Sequence, residues 1–546
     1  MPEPITQNTL FYGDNLPILR EYLPDASVDL IYLDPPFNSN RTYNVLFKDE
    51  SGEDSEAQIA AFEDTWHWNQ ATARTYEDLV LQAPIPVSKM IAALRDFIGP
   101  NQMMAYLVMM TARLVELHRI LKPTGSLYLH CDPTASHYLK VILDAIFGAA
   151  HFRNEIVWQR TSSHSDSKRW AAVHDTIFCY SKSDAFTWNP VYTEHDPAYV
   201  ETFYRYSDEK GRYRHDHIIR SASMGPRPNL SYEYHGYTPQ WGWRMTRDKL
   251  EALDKDNRIY WSNSGRPYLK RYLDEQKGNL ITSVITDIPP VGPQAAERLG
   301  YPTQKPLALL ERIIQTSSNP GDWVLDPFCG CGTAVAAAQK LERRWIGIDI
   351  TFLSISLQRS RLQEMFPDLA FQVIGEPQTL ADAHYLAQQD RFQFEWWALS
   401  LVGARPTQPT TSRKGKKGAD RGVDGVINFM DDASDKPKRV LVQVKSGKVS
   451  ARDVRDLGGA LEREKAAIGL LLTLETPTAP MEQEAAASGF YRSPGWNQQY
   501  PRVQLLTIES LLGGAKPQMP PAWGTFKQAQ RVRESGPGQA TLDLGM

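Results

Sequence analysis

Apolar residues along the chain fall into short runs that alternate with helical stripes. Val28–Leu33 is an apolar run that predicts a buried parallel strand, and it stops at Asp34-Pro35-Pro36. Neither proline can donate to a ladder, so the chain must leave the sheet there. Over residues 101–121, Leu107, Met110, Leu114, Leu117 and Leu121 recur at helical spacing. Gly125–Asp132 reads as the next strand, His137–Phe147 as a helix, and Asn154–Arg160 and His174–Lys182 as further strands. Strands alternating with helices predict an α/β fold on a parallel sheet. From about 190 to 290 the periodicity fades and Tyr, Trp, Arg, Gly and Pro accumulate. Alternation then returns: Leu307–Thr316 as a helix, Asp322–Phe328 as a strand, Ala334–Leu341 as a helix, Trp345–Ile350 as a strand.

A further region begins near 386 with a helix carrying Phe392, Phe394, Trp396 and Trp397. Arg405–Gly422 is polar, basic and punctuated by Gly and Pro, and reads as a loop or linker. Strands around Asp424 and Gln443, a helix over 451–463 and the strand AIGLLLTL follow, and the tail beyond 513 reads as poorly ordered. The chain therefore divides into 1–189, 190–290, 291–385, 386–512 and 513–546, with no internal repeat.

Composition narrows the class rather than the function. The chain has 546 residues, 42% hydrophobic and 23% charged, and a net charge of −4, so any nucleic-acid surface must be a local basic face. No apolar run is long enough for a bilayer, and the opening MPEPITQNTL lacks a signal-peptide core. The 4 cysteines make no disulfide framework and predict a reducing cytoplasm.

Candidate chemistry lies in two segments. Asp326–Ala334 (DPFCGCGTA) joins a strand to a helix, where Gly330 and Gly332 allow close backbone approach and the helix start offers free N–H donors. Asp349 ends the next strand, where an acid can bind the ribose hydroxyls of a nucleoside cofactor. Such a glycine turn can also serve only helix–strand packing. Cys329 and Cys331 lack further ligands at metal-binding spacing and read as small residues in a tight loop.

The second segment is Asp34-Pro35-Pro36-Phe37, directly after a strand. An exocyclic amine on a base is a poor nucleophile because its lone pair is delocalised into the ring. Asp34 and the Pro35 carbonyl can accept its two hydrogens and localise that pair for in-line displacement. Phe37 offers a flat face for a base turned out of the duplex. By itself the tetrapeptide also reads as a plain strand terminator.

Together these segments resemble the amino-methyltransferases of bacterial DNA modification. Asp34–Phe37 matches the family's catalytic motif and Asp326–Thr333 its methyl-donor loop, including Phe328, Gly330, Gly332 and Thr333. Thr303–Pro306 resembles the segment that, in the family, packs Lys305 by the donor's methionine end, and Gly13-Asp14 an element whose acid lies near the donor adenine. The resemblance covers about 8–375, with the catalytic motif first and the donor loop last. That order is the β-class one. It implies a circularly permuted, Rossmann-like S-adenosylmethionine-dependent methyltransferase fold with an inserted target-recognition region.

The implied donor is S-adenosyl-L-methionine, the implied partner double-stranded DNA, and homodimers are common in the class. The inserted region carries Arg205, Lys210, Arg212, Arg214, Arg220, Arg227, Arg244, Arg266, Lys270 and Arg271 among Tyr and Trp, a mixture suited to phosphate contacts and stacking. Asp34 with Phe37 leans toward adenine N6, with cytosine N4 as the alternative. C5-cytosine chemistry needs a nucleophilic cysteine, usually in a Pro-Cys pair that this chain lacks. An RNA substrate fits less well with the long insertion.

Residues 390–475 resemble Mrr-type members of the PD-(D/E)xK nucleases, an α/β restriction-endonuclease-like fold. Asp424 and Gln443 would hold Mg²⁺, Lys445 would stabilise charge, and Glu395 could be an additional acid. A neutral Gln443 lessens the site's charge, so two readings stand: a nuclease, or a module that only binds DNA. The basic loop Arg413–Lys417 could meet phosphates or be solvated.

Overall fold

The computed structural model describes residues 3–36, 68–161, 170–225, 227–292, 295, 297–299, 301, 303–407, 423–431 and 437–522. The main sheet is built from β1 (Thr9–Tyr12), β2 (Val28–Leu33), β3 (Leu121–Cys131), β4 (Phe152–Gln159), β5 (His174–Ser181), β6 (Val284–Ile285), β7 (Trp323–Asp326), β8 (Arg344–Asp349) and β9 (Gln372–Ile374). Their order across the sheet is β6-β4-β5-β3-β2-β7-β8-β1-β9. Neighbours pair in parallel except β5, which runs antiparallel to both β3 and β4. The sheet is therefore mixed rather than wholly parallel.

The helices that matter for the site are α1 (Asn15–Tyr22), α2 (Gln102–Ile120), α3 (Pro133–Phe147), α4 (Leu307–Ser317), α5 (Thr333–Lys340) and α6 (Phe352–Met365). Helix starts follow the local chemistry: Asp14, Asn101 and Asp132 cap α1, α2 and α3 by accepting from backbone N–H groups. Helices cover both faces of the sheet, which is why β2 reads as a nearly unbroken apolar run. Ile31 and Leu33 join the core formed with Leu107, Met110 and Leu114 of α2. Leu30 and Tyr32 join the opposite core with Ile313 of α4 and Val335 of α5.

A second, five-stranded sheet follows, from β10 (Arg405–Pro406), β11 (Gly425–Phe429), β12 (Lys438–Lys445), β13 (Ile468–Thr473) and β14 (Val503–Thr507), in that spatial order. It packs with α7 (Arg391–Leu401) on one side and α8 (Ala451–Arg463) on the other. Phe352, Leu353 and Leu357 of α6 share one apolar cluster with Phe394 and Trp397 of α7 and Leu470 of β13. Hydrophobic packing thus runs unbroken from the main sheet's last helix into the second sheet.

By compactness the chain forms two units, residues Pro190–Thr282 and the remainder. The smaller unit holds a four-stranded antiparallel sheet, in the order Tyr206–Asp208, Gly211–His217, Pro267–Tyr272, Ile259–Trp261. Its core is Ile218, Trp243, Leu250 and Ile259. Periodicity missed this sheet because its strands are built from Tyr, His, Arg and Lys, and their faces are covered by rings stacked on rings: Tyr206 on His215 at 4.0 Å and His215 on Tyr260 at 4.2 Å. Most of the tail predicted to be poorly ordered lies outside the described residues.

Trp397 is 1% exposed at the centre of the shared cluster. Trp397→Ala is expected to cost about 3–5 kcal/mol, read as a lowered urea midpoint.

Candidate active site

Five neighbouring strands end side by side at one edge of the main sheet, the edge where open α/β sheets bind ligands. β3 is followed by Asp132, β2 by Asp34, β7 ends in Asp326, β8 in Asp349, and β1 leads into Gly13-Asp14. The register of β2 with β7 pairs Leu30 with Val324 and Ile31 with Leu325. Asp34-Pro35-Pro36 and the loop after Asp326 therefore leave adjacent strands at the same edge of the sheet.

The donor loop is held by its own acids. Asp326 is 4% exposed, and its Oδ1 accepts from Phe328 N–H at 3.0 Å. Burial pushes its carboxyl well above the usual range, and the charges of Asp34 and Asp349 add to that. Asp349 Oδ2 accepts from Gly330 N–H at 2.9 Å, while Oδ1 accepts from the backbone and hydroxyl of Thr351 at 2.9 and 3.0 Å. The acid predicted to meet ribose hydroxyls thus also ties the glycine loop to the start of α6. Burial raises its carboxyl too.

Gly332 sits at φ 73°, and a Cβ there would lie 2.6 Å from Gln358 Cγ. Gly330 lies against the Tyr301 ring, and Phe328 packs at the edge of the α2-side core. Thr333 opens α5 and accepts from Arg361 at 3.1 Å. Asp14 accepts from Leu16 N–H and from Arg113 at 2.7 Å. The adjacent Asn15 donates to Pro327 O at 2.7 Å, fastening α1 to the donor loop.

Cys329 and Cys331 are buried and burial raises both thiols, as befits small loop residues. Among the described residues no group of three or more His, Cys, Asp or Glu could hold a metal ion.

The Lys305 ammonium, expected by resemblance beside the donor's methionine end, lies 2.5 Å from Asp34 Oδ2. Pro35 is buried and Pro36 half-buried, and Phe37 lies outside the described residues.

Beneath Asp34 runs a buried polar chain that the sequence pattern did not reveal. Tyr32 Oη lies 2.9 Å from His130 Nδ1, and His130 Nε2 lies 3.1 Å from Asp175 Oδ2. A carboxylate only accepts, so Nε2 carries a hydrogen toward Asp175. Burial alone would raise the Asp175 carboxyl. The hydrogen bond and charge of His130, with Lys305 and Arg160, outweigh it and hold the carboxyl below its usual value. The signal was an ionisable residue beside an apolar run in each strand, His130 after Leu127–Leu129 in β3 and Asp175 shortly before Ile177–Cys179 in β5.

The donor set fits a cationic nucleoside donor. Burial raises Asp326 and Asp349, the charges of Asp34 and Asp349 raise Asp326 further, and a positive charge placed among them would relieve both. The glycine turn is the only part of the loop where a ligand can meet bare backbone without a Cβ.

In the smaller unit, the expected cationic surface is reduced. Lys210 pairs with Asp256, Lys270 with Asp208 and Arg271 with Asp216. Arg212 donates to Tyr204 O, Arg214 to Tyr199 Oη, and Arg220 to Met224 O and Gly225 O. These six cations serve the unit's own structure, although Lys210 and Arg212 are exposed, as are Arg205, Arg227, Arg244 and Arg266.

At the second sheet, Asp424 Oδ2 accepts from Val444 N–H at 2.7 Å. Burial and the Asp424 charge push Glu395 up to about 8, with Arg391 and Lys445 pulling the other way. Gln443 is 5% exposed with its Oε1 unpartnered, and Lys445 Nζ lies 3.6 Å from Asp453. At the positions where the resemblance implies Mg²⁺, the Asp424 charge raises Glu395 and the Gln443 amide oxygen is orphaned. The basic loop Arg413–Lys417 lies outside the described residues.

Comparison with known proteins agrees with this geometry. Residues 28–352 match the N6/N4 methyltransferase model, described as DNA methylase. The chain belongs to this DNA methylase family. Residues 410–513 match the model described as NACHT-associated inactive restriction endonuclease 1. The chain is 30% identical to the type II methyltransferase M.EcaI of Enterobacter cloacae, over 63% of this chain and 67% of that one. It is 27% identical to the Mod subunit of the type III restriction-modification enzyme StyLTI of Salmonella typhimurium, over 62% of this chain and 50% of that one. It is 25% identical to the DNA adenine methyltransferase YhdJ of Escherichia coli, over 64% and 82%. Among the described residues no helix is long and apolar enough to cross a membrane.

Two outcomes are expected. Gly332→Ala places a Cβ on Gln358 at a left-handed position, costing about 1–2 kcal/mol from the backbone alone, and should weaken S-adenosylmethionine binding measured by calorimetry. Glu395 holds a proton in the folded chain that the unfolded chain lacks between about 4.5 and about 8. Its contribution therefore falls as pH rises through that window. Glu395→Gln should gain stability on the parent across the same interval, and parallel melting curves against pH would contradict this.

Proposed function

We propose that the chain methylates the N6 amine of adenine at a specific site in double-stranded DNA, with S-adenosyl-L-methionine as donor, as the modification activity of a bacterial or archaeal restriction–modification system in the cytoplasm. The observation that carries this reading is the juxtaposition of Asp34 and the donor loop on the adjacent parallel strands β2 and β7. Bound in the loop, the donor supplies an electrophilic methyl group on a positively charged sulfur.

The chain's own residues do the rest. Asp34 and the Pro35 carbonyl accept the two amine hydrogens, which localises the nitrogen lone pair. Lys305 holds Oδ2 at 2.5 Å and leaves Oδ1 to face the amine. Asp34 is also the base at hand for the proton the nitrogen sheds. Asp326 and Asp349 place negative potential around the sulfonium, and Asp349 keeps the Gly330 turn shaped around it. Asp14 and Phe328 line the same loop region, and Phe37 would stack on the everted base.

Adenine is favoured by Asp34 with Phe37 and by similarity to a relative named as a DNA adenine methyltransferase. Cytosine N4 is the alternative, since one family model covers both chemistries. Target recognition is assigned to residues 190–290, through the exposed arginines Arg205, Arg227, Arg244 and Arg266. For residues 386–512 we favour DNA binding without cleavage, because the matching family is described as inactive. Asp424, Glu395 and Gln443 would hold Mg²⁺, which supplies polarisation of a phosphate, and Lys445 would face the same charge.

Methylation-sensitive long-read sequencing of DNA from expressing cells should report N6-methyladenine in one motif. Methyl groups on cytosine N4 would overturn the base assignment. Asp34→Ala should lower transfer about 100-fold or more while leaving donor binding near the parent's, and Asp349→Ala should instead raise the donor Kd. Incubation with unmethylated DNA and Mg²⁺ should give no cleavage, and cutting that Asp424→Ala abolishes would restore the nuclease reading.

A further inference from the structure

The donor loop does not end with the main sheet. Asp349 Oδ1 is bonded to Thr351, and Thr351 caps α6 by accepting from Ser354 N–H. The first residue of α6, Phe352, is fully buried and stacks on Tyr12 at a ring separation of 3.6 Å and an interplanar angle of 23°. Tyr12 closes β1, directly before Gly13-Asp14.

Phe352 N–H is one of the donors that a helix start leaves without an intrahelical partner. Its acceptor comes from the helix that opens the C-terminal domain: Gln393 Oε1 of α7, at 3.1 Å. Gln393 is itself placed by Asp390, which caps α7 by accepting from the N–H groups of Phe392 and Gln393 at 2.9 and 3.1 Å. Tyr12 and Tyr301, both beside the donor loop, pack against the cluster that Phe352 shares with Phe394 and Trp397.

We propose that the C-terminal domain is a working part of the methyl-donor pocket, with Gln393 of α7 acting as a positioning residue that holds the start of α6 and, through Thr351 and Asp349, the Gly330 turn. The inference rests on the donor-site reading above. A deep path runs from Gln393 to Phe352, Thr351, Asp349 and Gly330, each link a hydrogen bond or a chain neighbour. Losing the Gln393 acceptor leaves a buried N–H unpaired and lets the α6 start and Asp349 relax. Neither change touches Asp34, so the effect falls on donor affinity and not on the chemical step.

The test uses the full chain. Gln393→Met keeps the side-chain length and removes the acceptor, whereas Gln393→Glu keeps an acceptor oxygen. Titration with S-adenosylmethionine should show Gln393→Met weakened about fivefold, the effect of one lost hydrogen bond, and Gln393→Glu restored toward the parent. The donor KM should rise in step for Gln393→Met, with kcat at saturating donor unchanged. Parent-like donor affinity in Gln393→Met, or equal loss in both variants, overturns the proposal. A parent chain that binds no S-adenosylmethionine overturns the donor-site reading itself and this inference with it.

Discussion

The parallel pairing of Val28–Leu33 with Trp323–Asp326 joins segments almost three hundred residues apart in sequence order and sets what every other contact at the site can do. Strand side chains alternate between faces, so a one-residue slip would exchange the two cores that Leu30 and Ile31 separately enter. Both faces being buried under helices makes that slip costly. The register is consequently secure, and with it the placement of Asp34 beside the donor loop.

Around this pairing the protein gathers negative charge at a cost. Asp326 and Asp349 are raised by burial, and the charges of Asp34 and Asp349 raise Asp326 further. The compensation is local: the backbone N–H of Phe328 donates to Asp326, and those of Gly330 and Thr351 donate to Asp349. Lys305 answers Asp34, and the Tyr32–His130–Asp175 chain supplies a polar floor beneath it. What remains is a site preorganised for a cation and for donors, with its acids already oriented.

The second sheet is bound into this arrangement by apolar packing as well as by Gln393. The cluster that starts at Phe352 and continues through Trp397 to Leu470 has no break at which the two sheets could be parted without exposing large side chains. The Asp424 charge, by contrast, raises Glu395, with Arg391 and Lys445 pulling the other way. The family that residues 410–513 match is described as inactive.

Sequence alone determined whatever depends on neighbours along the chain. The run Val28–Leu33, the helix of Leu107 to Leu117, the strand-to-helix turns with Gly330 and Gly332, and Asp34-Pro35-Pro36 each carry their own signal in spacing, proline or glycine. Tertiary structure decided whatever depends on partners far away. The direction of β5 is invisible in its composition, and so is the stacked sheet of Tyr206, His215 and Tyr260, because ring packing leaves no period. Which cations form ion pairs was also undecidable: Lys270 and Arg271 read like Arg266 in a string of letters, yet the first two pair with Asp208 and Asp216 while Arg266 lies over the Tyr268 ring. Lys305 found Asp34, and Gln393 found Phe352, only because folding brought opposite charge and an orphaned N–H within reach.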